Sequence, residues 1–126
     1  MYTSATKRFL IKQTPQILTL HINRFTQAGF SLRKNGDHVA FKFELDIAPF
    51  CVPEVSEAET TYDLFAIVEH SGSMSGGHYI CNVRPAKNDS NGWFHISDSH
   101  VSSMSERMVT STQAYLLFYR RRNGDI

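Results

Sequence analysis

The run Ala114-Tyr115-Leu116-Leu117-Phe118-Tyr119 leaves few options for the fold. No polar residue interrupts it, and Arg120 follows at once. A membrane-spanning helix needs ~20 apolar residues, so the run reads most simply as a strand buried on both faces. Such a strand needs paired neighbours and a layer over each face. The rest of the chain must supply them.

It does so with strand-length segments separated by turn chemistry. Ile17 to Phe25, after Pro15, is apolar and β-branched with partial alternation. Gln27 to Asp37 carries Gly29 and Gly36 among charges and reads as a turn or loop. From Val39 to Asp46 apolar and polar residues alternate, as in a half-buried strand. Residues 49–61, with Pro49, Pro53, Glu54, Glu57 and Glu59, read as a surface loop. Tyr62 to His70 resumes the strand pattern, and Ser71 to Gly77 is a glycine-serine loop. His78 to Arg84 and Trp93 to Ser97 are strands flanking a turn cluster at residues 88–92. Ser105 can cap one helical turn reaching Thr110. The expected class is α+β, mostly antiparallel β, with long loops and few helices.

A chain of 126 residues is at most one domain, long enough to bury a core. The net charge of +1 argues against direct nucleic-acid binding and against a grip on an anionic membrane. The one basic cluster, Arg120-Arg121-Arg122, reads as part of a solvated tail. The first residues lack the hydrophobic stretch of a secretory signal. Cys51 and Cys81 are the only cysteines and lack Cys-x-x-Cys spacing, so neither a disulfide framework nor a structural zinc site is expected. A reducing intracellular compartment, nucleus or cytoplasm, is the corresponding expectation. His21, His38, His70, His78, His95 and His100 are scattered without ligand spacing, and no metal or cofactor is expected.

Chemistry concentrates around His78, which follows Gly76 and Gly77 at the mouth of a strand and lies one hairpin from Ser97-Asp98. A histidine base needs a neighbour that fixes its tautomer. Pairing Val83 with Trp93 places His78 opposite Asp98, and a slip of one residue places it opposite Ser97. Either register brings an oxygen-bearing side chain to the imidazole. On the residues alone, a catalytic base and a histidine satisfied at a strand end are both open. Cys81, three residues on, projects to the opposite face. Cys51 lies in or beside a loop, with no cation or helix start in sequence to activate it. A self-contained Cys51–His78 hydrolase is the weaker arrangement.

The motifs around this histidine resemble the C-terminal part of the catalytic domain of ubiquitin-specific proteases, the papain-like cysteine deubiquitinases. Pro15-Gln16-Ile17-Leu18-Thr19-Leu20-His21-Ile22-Asn23-Arg24-Phe25 is similar to the family's P-x-I-L-x-L-x-x-x-R-F strand. Tyr62 to Gly72 is similar to its Y-x-L-x-x-x-x-x-H-x-G segment, and Gly76-Gly77-His78-Tyr79 to its histidine box. Trp93 with Ser97-Asp98-Ser99, and the closing Ala114 to Tyr119, follow in the family's order.

The resemblance implies the palm and part of the fingers of a papain-like fold, with residues 1–122 in the domain and 123–126 a tail. It implies thiol-dependent cleavage of the isopeptide bond at the ubiquitin C-terminus, with His78 as general base. His70, Gly76, Gly77 and Tyr79 match positions that hold the ubiquitin tail, and Ser71 to Gly77 resembles a blocking loop that moves aside for it. Ser97 stands where the family usually has Asp or Asn, with Asp98 next. The implied partners are ubiquitin and ubiquitinated proteins. The run from Phe25 to Lys34 resembles a histone-deubiquitinating branch, which adds histones to them. The family's cysteine box, its helical thumb and the zinc-binding Cys-x-x-Cys pairs have no match here. A missing N-terminal lobe is therefore expected to carry the nucleophile; the rival is a catalytically inactive ubiquitin-binding module. A bare sheet face is also expected to limit solubility, with Tyr115 to Tyr119 the segment most at risk.

Overall fold

The computed structural model describes residues 8–22, 25–28, 31–34, 38–71, 77–85 and 92–122, with 25–28, 31–34 and Ser71 described as backbone only. The apolar C-terminal run forms β9 (Ala114–Arg121), which pairs antiparallel with both β1 (Ile17–His21) and β5 (Thr61–Ser71). Further antiparallel pairings carry the sheet outward from β5 through β6 (His78–Val83) and β7 (Trp93–Ser97) to β8 (His100–Met104). With β4 (Glu44–Asp46) also paired to β5, the sheet has seven strands. Both edges of β9 are thus hydrogen-bonded, while Tyr115, Leu116 and Phe118 remain half-buried. Among the described residues, β1 and β8 end the strand order and β4 pairs on one side only.

One face of the sheet is the core. Tyr62, Leu64 and Ile67 of β5, Leu117 and Tyr119 of β9 and Trp93 of β7 are buried there, with Ile47, Cys51 and Val109. Val109 belongs to α1 (Glu106–Thr110), whose Ser105 cap accepts from the Met108 amide as the sequence suggests. Short 3-10 turns at Ala48–Phe50 and Glu57–Glu59 lie in the proline- and glutamate-bearing loop.

Three sequence expectations change. The stretch expected as a loop after Gln27 contains a hairpin of its own, β2 (Phe25–Ala28) with β3 (Ser31–Lys34), paired as a separate two-stranded sheet. Its ladder runs from Phe25 with Lys34 to Ala28 with Ser31. The expected alternation survives as alternating burial from Phe41 to Asp46, but only Glu44–Asp46 pairs as a strand. The reason is that β5 shares one edge between two partners. β4 takes residues 61–63, β6 takes 66–71, and a register shift lies between Leu64 and Ala66 on the β9 side.

The arginine cluster is the third change. Arg120 stacks over Phe65 at 4.6 Å, Arg121 donates to the carbonyl and hydroxyl of Thr14, and Arg122 grips Asp63 through two hydrogen bonds and reaches Glu44 at 2.9 Å. These residues tie β4, β5 and β9 together rather than forming a solvated tail. Residues 123–126 lie outside the described ones.

Leu117 is 3% exposed at the centre of this core. Leu117→Ala is expected to lower unfolding free energy by about 3 kcal/mol, as for other buried leucines. Val101→Ala on the open edge, where the side chain is 64% exposed, should stay within about 0.5 kcal/mol. Chemical denaturation of both variants checks the contrast.

Candidate active site

His78 opens β6, paired with Ser71 of β5. The β6–β7 ladder runs Val83–Phe94, Asn82–His95 and Cys81–Ile96. This is neither of the two registers the sequence offered. The cause is Trp93. With β6 locked to β5, pairing Val83 with Phe94 turns the indole onto the core face beside Phe43, ring centroids 6.0 Å apart. A one-residue slip would turn it outward.

The ladder ends before His78, yet both expected oxygens reach the imidazole. Nε2 lies 3.2 Å from the Ser97 hydroxyl, and Nδ1 lies 3.9 Å from an oxygen of Asp98. The Ser97 contact is a hydrogen bond; the Asp98 contact is an ion-pair distance between side chains 45% and 80% exposed, and such pairs contribute little stability. Asp98 begins the two-residue turn between β7 and β8, which pair through Ser97 and His100. It is the one described non-glycine residue with positive φ, 53°, a conformation that aspartate tolerates better than most side chains.

Side chains alternate across the sheet, so the neighbour of His78 faces the other way. Tyr79 pairs with His70, their rings meeting edge-on at 4.9 Å. Tyr115 joins them, 6.0 Å from His70 and 5.9 Å from Tyr79, and His21 packs edge-on against Tyr115 at 4.9 Å. His70 is buried, whereas Tyr79 is 57% exposed, which makes the group an aromatic shelf open on one side. Gly77 completes it. A Cβ there would sit 1.6 Å from His70 Nε2, so only glycine lets the strand pass over the ring. Gly76 lies outside the described residues. Tyr115 and His21 escaped the sequence reading because a continuous apolar run does not reveal which of its residues share a face.

Neither cysteine is brought to His78. Cys51 sits in the core, its thiol donating to the Ile47 carbonyl. Cys81 is half-buried, and desolvation pushes its thiol above the ordinary range. Among the described residues no group of three or more His, Cys, Asp or Glu could hold a metal ion, and no helix is long and apolar enough to cross a membrane.

An antiparallel sheet with a histidine at its open end, steadied by a hydroxyl and separated from any cysteine, is the palm side of a papain-like hydrolase fold. The comparisons agree. The family model described as ubiquitin carboxyl-terminal hydrolase matches residues 3–119. Mouse ubiquitin carboxyl-terminal hydrolase 45 is 43% identical over 96% of the chain, and mouse ubiquitin carboxyl-terminal hydrolase 16 is 40% identical over 96%. The chain spans 18% of the length of each. Among solved structures, the Ubp8-Sgf11-Sgf73-Sus1 SAGA DUB module aligns over 90% of this chain and 25% of its own, at 38% identity and a TM-score of 0.76. A variant of that module bound to monoubiquitin aligns over 86% of this chain and 24% of its own, at 38% identity and a TM-score of 0.74. The chain belongs to the ubiquitin carboxyl-terminal hydrolase family and carries part of a ubiquitin-specific protease domain.

Two measurements check this geometry. Gly77→Ala should displace the His70 ring, shifting its imidazole NMR signals and lowering the melting temperature; unchanged signals would contradict the close approach. Cys81 should be alkylated at neutral pH more slowly than in the unfolded chain, because desolvation raises its pKa and leaves less thiolate. Mass spectrometry with and without denaturant reads the ratio.

Proposed function

We propose that this chain supplies the histidine base and the ubiquitin-tail shelf of a thiol-dependent deubiquitinase. Residues 1–122 would form the C-terminal portion of the catalytic domain, with 123–126 a tail. The nucleophilic cysteine would come from an N-terminal lobe. The observation that carries the reading is the two-sided contact of His78, a hydroxyl at Nε2 and a carboxylate near Nδ1.

In this mechanism Nε2–H donates to Ser97, which fixes the ring and leaves Nδ1 as the acceptor. Nδ1 takes the thiol proton, and the thiolate attacks the carbonyl carbon of the isopeptide bond. His78 then returns the proton to the departing lysine amine, and water releases ubiquitin from the thioester. Ser97 is the orienting residue. Asp98, near Nδ1, adds negative charge beside the imidazolium that forms between the two proton transfers. The aromatic shelf of His70, Tyr79 and Tyr115, with Gly77 above it, suits an extended small-residue tail such as the ubiquitin Gly-Gly end. Ubiquitinated proteins, histones among them, are the substrates, and the nucleus or cytoplasm is the setting; the two free thiols are in keeping with this.

Intact-mass labelling with a ubiquitin probe bearing a thiol-reactive C-terminus tests the division of labour. The chain alone should form no adduct, and labelling should appear on a cysteine of the N-terminal lobe once that lobe is supplied. An adduct on Cys51 would overturn the division. Ubiquitin binding without labelling, even with the lobe present, would favour the inactive binding module. In the reconstituted enzyme, His78→Ala should lower kcat/KM by about 10²–10⁴, the usual contribution of a general base. Ser97→Ala should cost roughly tenfold to a hundredfold, as lost ring orientation does.

A further inference from the structure

On the core face of the sheet, the same face as His78 and set back from it along the strands, three polar side chains are locked together. Asn82 of β6 is wholly buried. Its Nδ2 donates to Glu69 of β5 at 2.8 Å, and its Oδ1 lies 2.7 Å from Nδ1 of His95 on β7. Donor and acceptor rules fix the arrangement. A carboxylate only accepts, so the amide NH₂ faces Glu69 and the amide oxygen faces His95. That oxygen also only accepts, so His95 carries a proton on Nδ1, and in the neutral ring Nε2 is a bare acceptor. The second Glu69 oxygen and His95 Nε2 have no hydrogen-bond partner among the described residues.

Glu69 and His95 line a cavity of about 300 Å³, bordered by Met104, Met108, Ser111 and Thr112. The hydroxyl protons of Ser111 and Thr112 go to the carbonyls of Met108 and Val109, at 2.7 and 2.8 Å. They too offer lone pairs. A carboxylate among acceptors, with two thioethers alongside, suits a donor-rich cation on an aliphatic stem. Guanidinium fits best, with five N–H donors and no acceptor, and methionine packs well against the methylenes. Ser102 and Ser103 also line the cavity, and their hydroxyls can donate or accept; an anion there would still face the Glu69 carboxylate.

We propose that this cavity is a subsite for a basic side chain, arginine foremost, of the protein that carries ubiquitin, on the leaving-amine side of the scissile bond. The second half of the statement rests on the proposed function. The tail shelf, His70 with Tyr79, and the cavity, Glu69 with His95, use opposite faces of the same strands, with His78 at their common end. The acyl and amine sides of the bond therefore diverge to the two faces.

Binding is tested on this chain by following the methyl NMR signals of Met104 and Met108 during titration with the peptide acetyl-Ala-Arg-Ala-amide, against a citrulline peptide as neutral isostere. Saturable shifts are expected with arginine. Citrulline, and Glu69→Gln with the arginine peptide, should each bind about tenfold more weakly, the scale of one charge-assisted hydrogen bond. Equal binding of the two peptides, no shift with arginine, or unchanged affinity in Glu69→Gln overturns the subsite. The leaving-side placement is tested in the enzyme that includes the cysteine lobe, with ubiquitin joined to an arginine-flanked lysine peptide or to a small dye. Glu69→Gln should raise KM for the peptide conjugate about tenfold and leave the dye conjugate unchanged. An equal effect on both, or on neither, overturns the placement. Cleavage of neither conjugate by the unmutated enzyme overturns the proposed function and the placement with it, while the titration still decides the cation subsite.

Discussion

An indole ring at the base of β7, 1% exposed, can be buried on only one face of the sheet, and that requirement fixes which face of β7 turns inward against β6. Because the side-chain period of a strand is two, Trp93 carries His95 and Ser97 onto its own face. That is the face on which β6 presents His78 and Asn82. The Ser97–His78 hydrogen bond and the Asn82–His95 contact are both consequences of where one large side chain is buried. Asp98 then falls in the turn, with positive φ, its carboxylate 3.9 Å from the other nitrogen of the ring.

The hydroxyl and the carboxylate do different things to the imidazole. A hydroxyl at hydrogen-bond distance restricts the ring without adding a charge. A carboxylate at 3.9 Å, largely in solvent, adds charge but little restriction. Orientation and charge therefore reach the ring from adjacent residues, Ser97 and Asp98. Ionic strength weakens only the charged half of the pair.

Much of the sheet was legible in the sequence, because alternation and turn residues report local preference directly. The strand Trp93–Ser97 and the capped turn after Ser105 match their expected limits. Pairing partners were harder. The β2–β3 hairpin was hidden by charged residues between its glycines, and the short β4 by the strand edge that β5 divides between two partners. At the site, His78 and its two oxygens could be read from motif and spacing, and the register could not, since it depends on which face Trp93 buries. Tyr115 and the Glu69–Asn82–His95 group were invisible for the same reason. Each becomes meaningful only once strands distant in sequence are laid side by side.

The position of β9 has a consequence during synthesis. It leaves the ribosome after the other described strands of this sheet, yet it lies between β1 and β5 and pairs with both. Until Ala114 to Arg121 emerge, β1 has no sheet to join, and one edge of the longest strand stays open. The early strands must be kept from pairing wrongly while translation proceeds, which is the situation in which nascent β-rich chains engage chaperones. A message that stops short of Ala114 would yield not a weakened sheet but one that never closes along its centre.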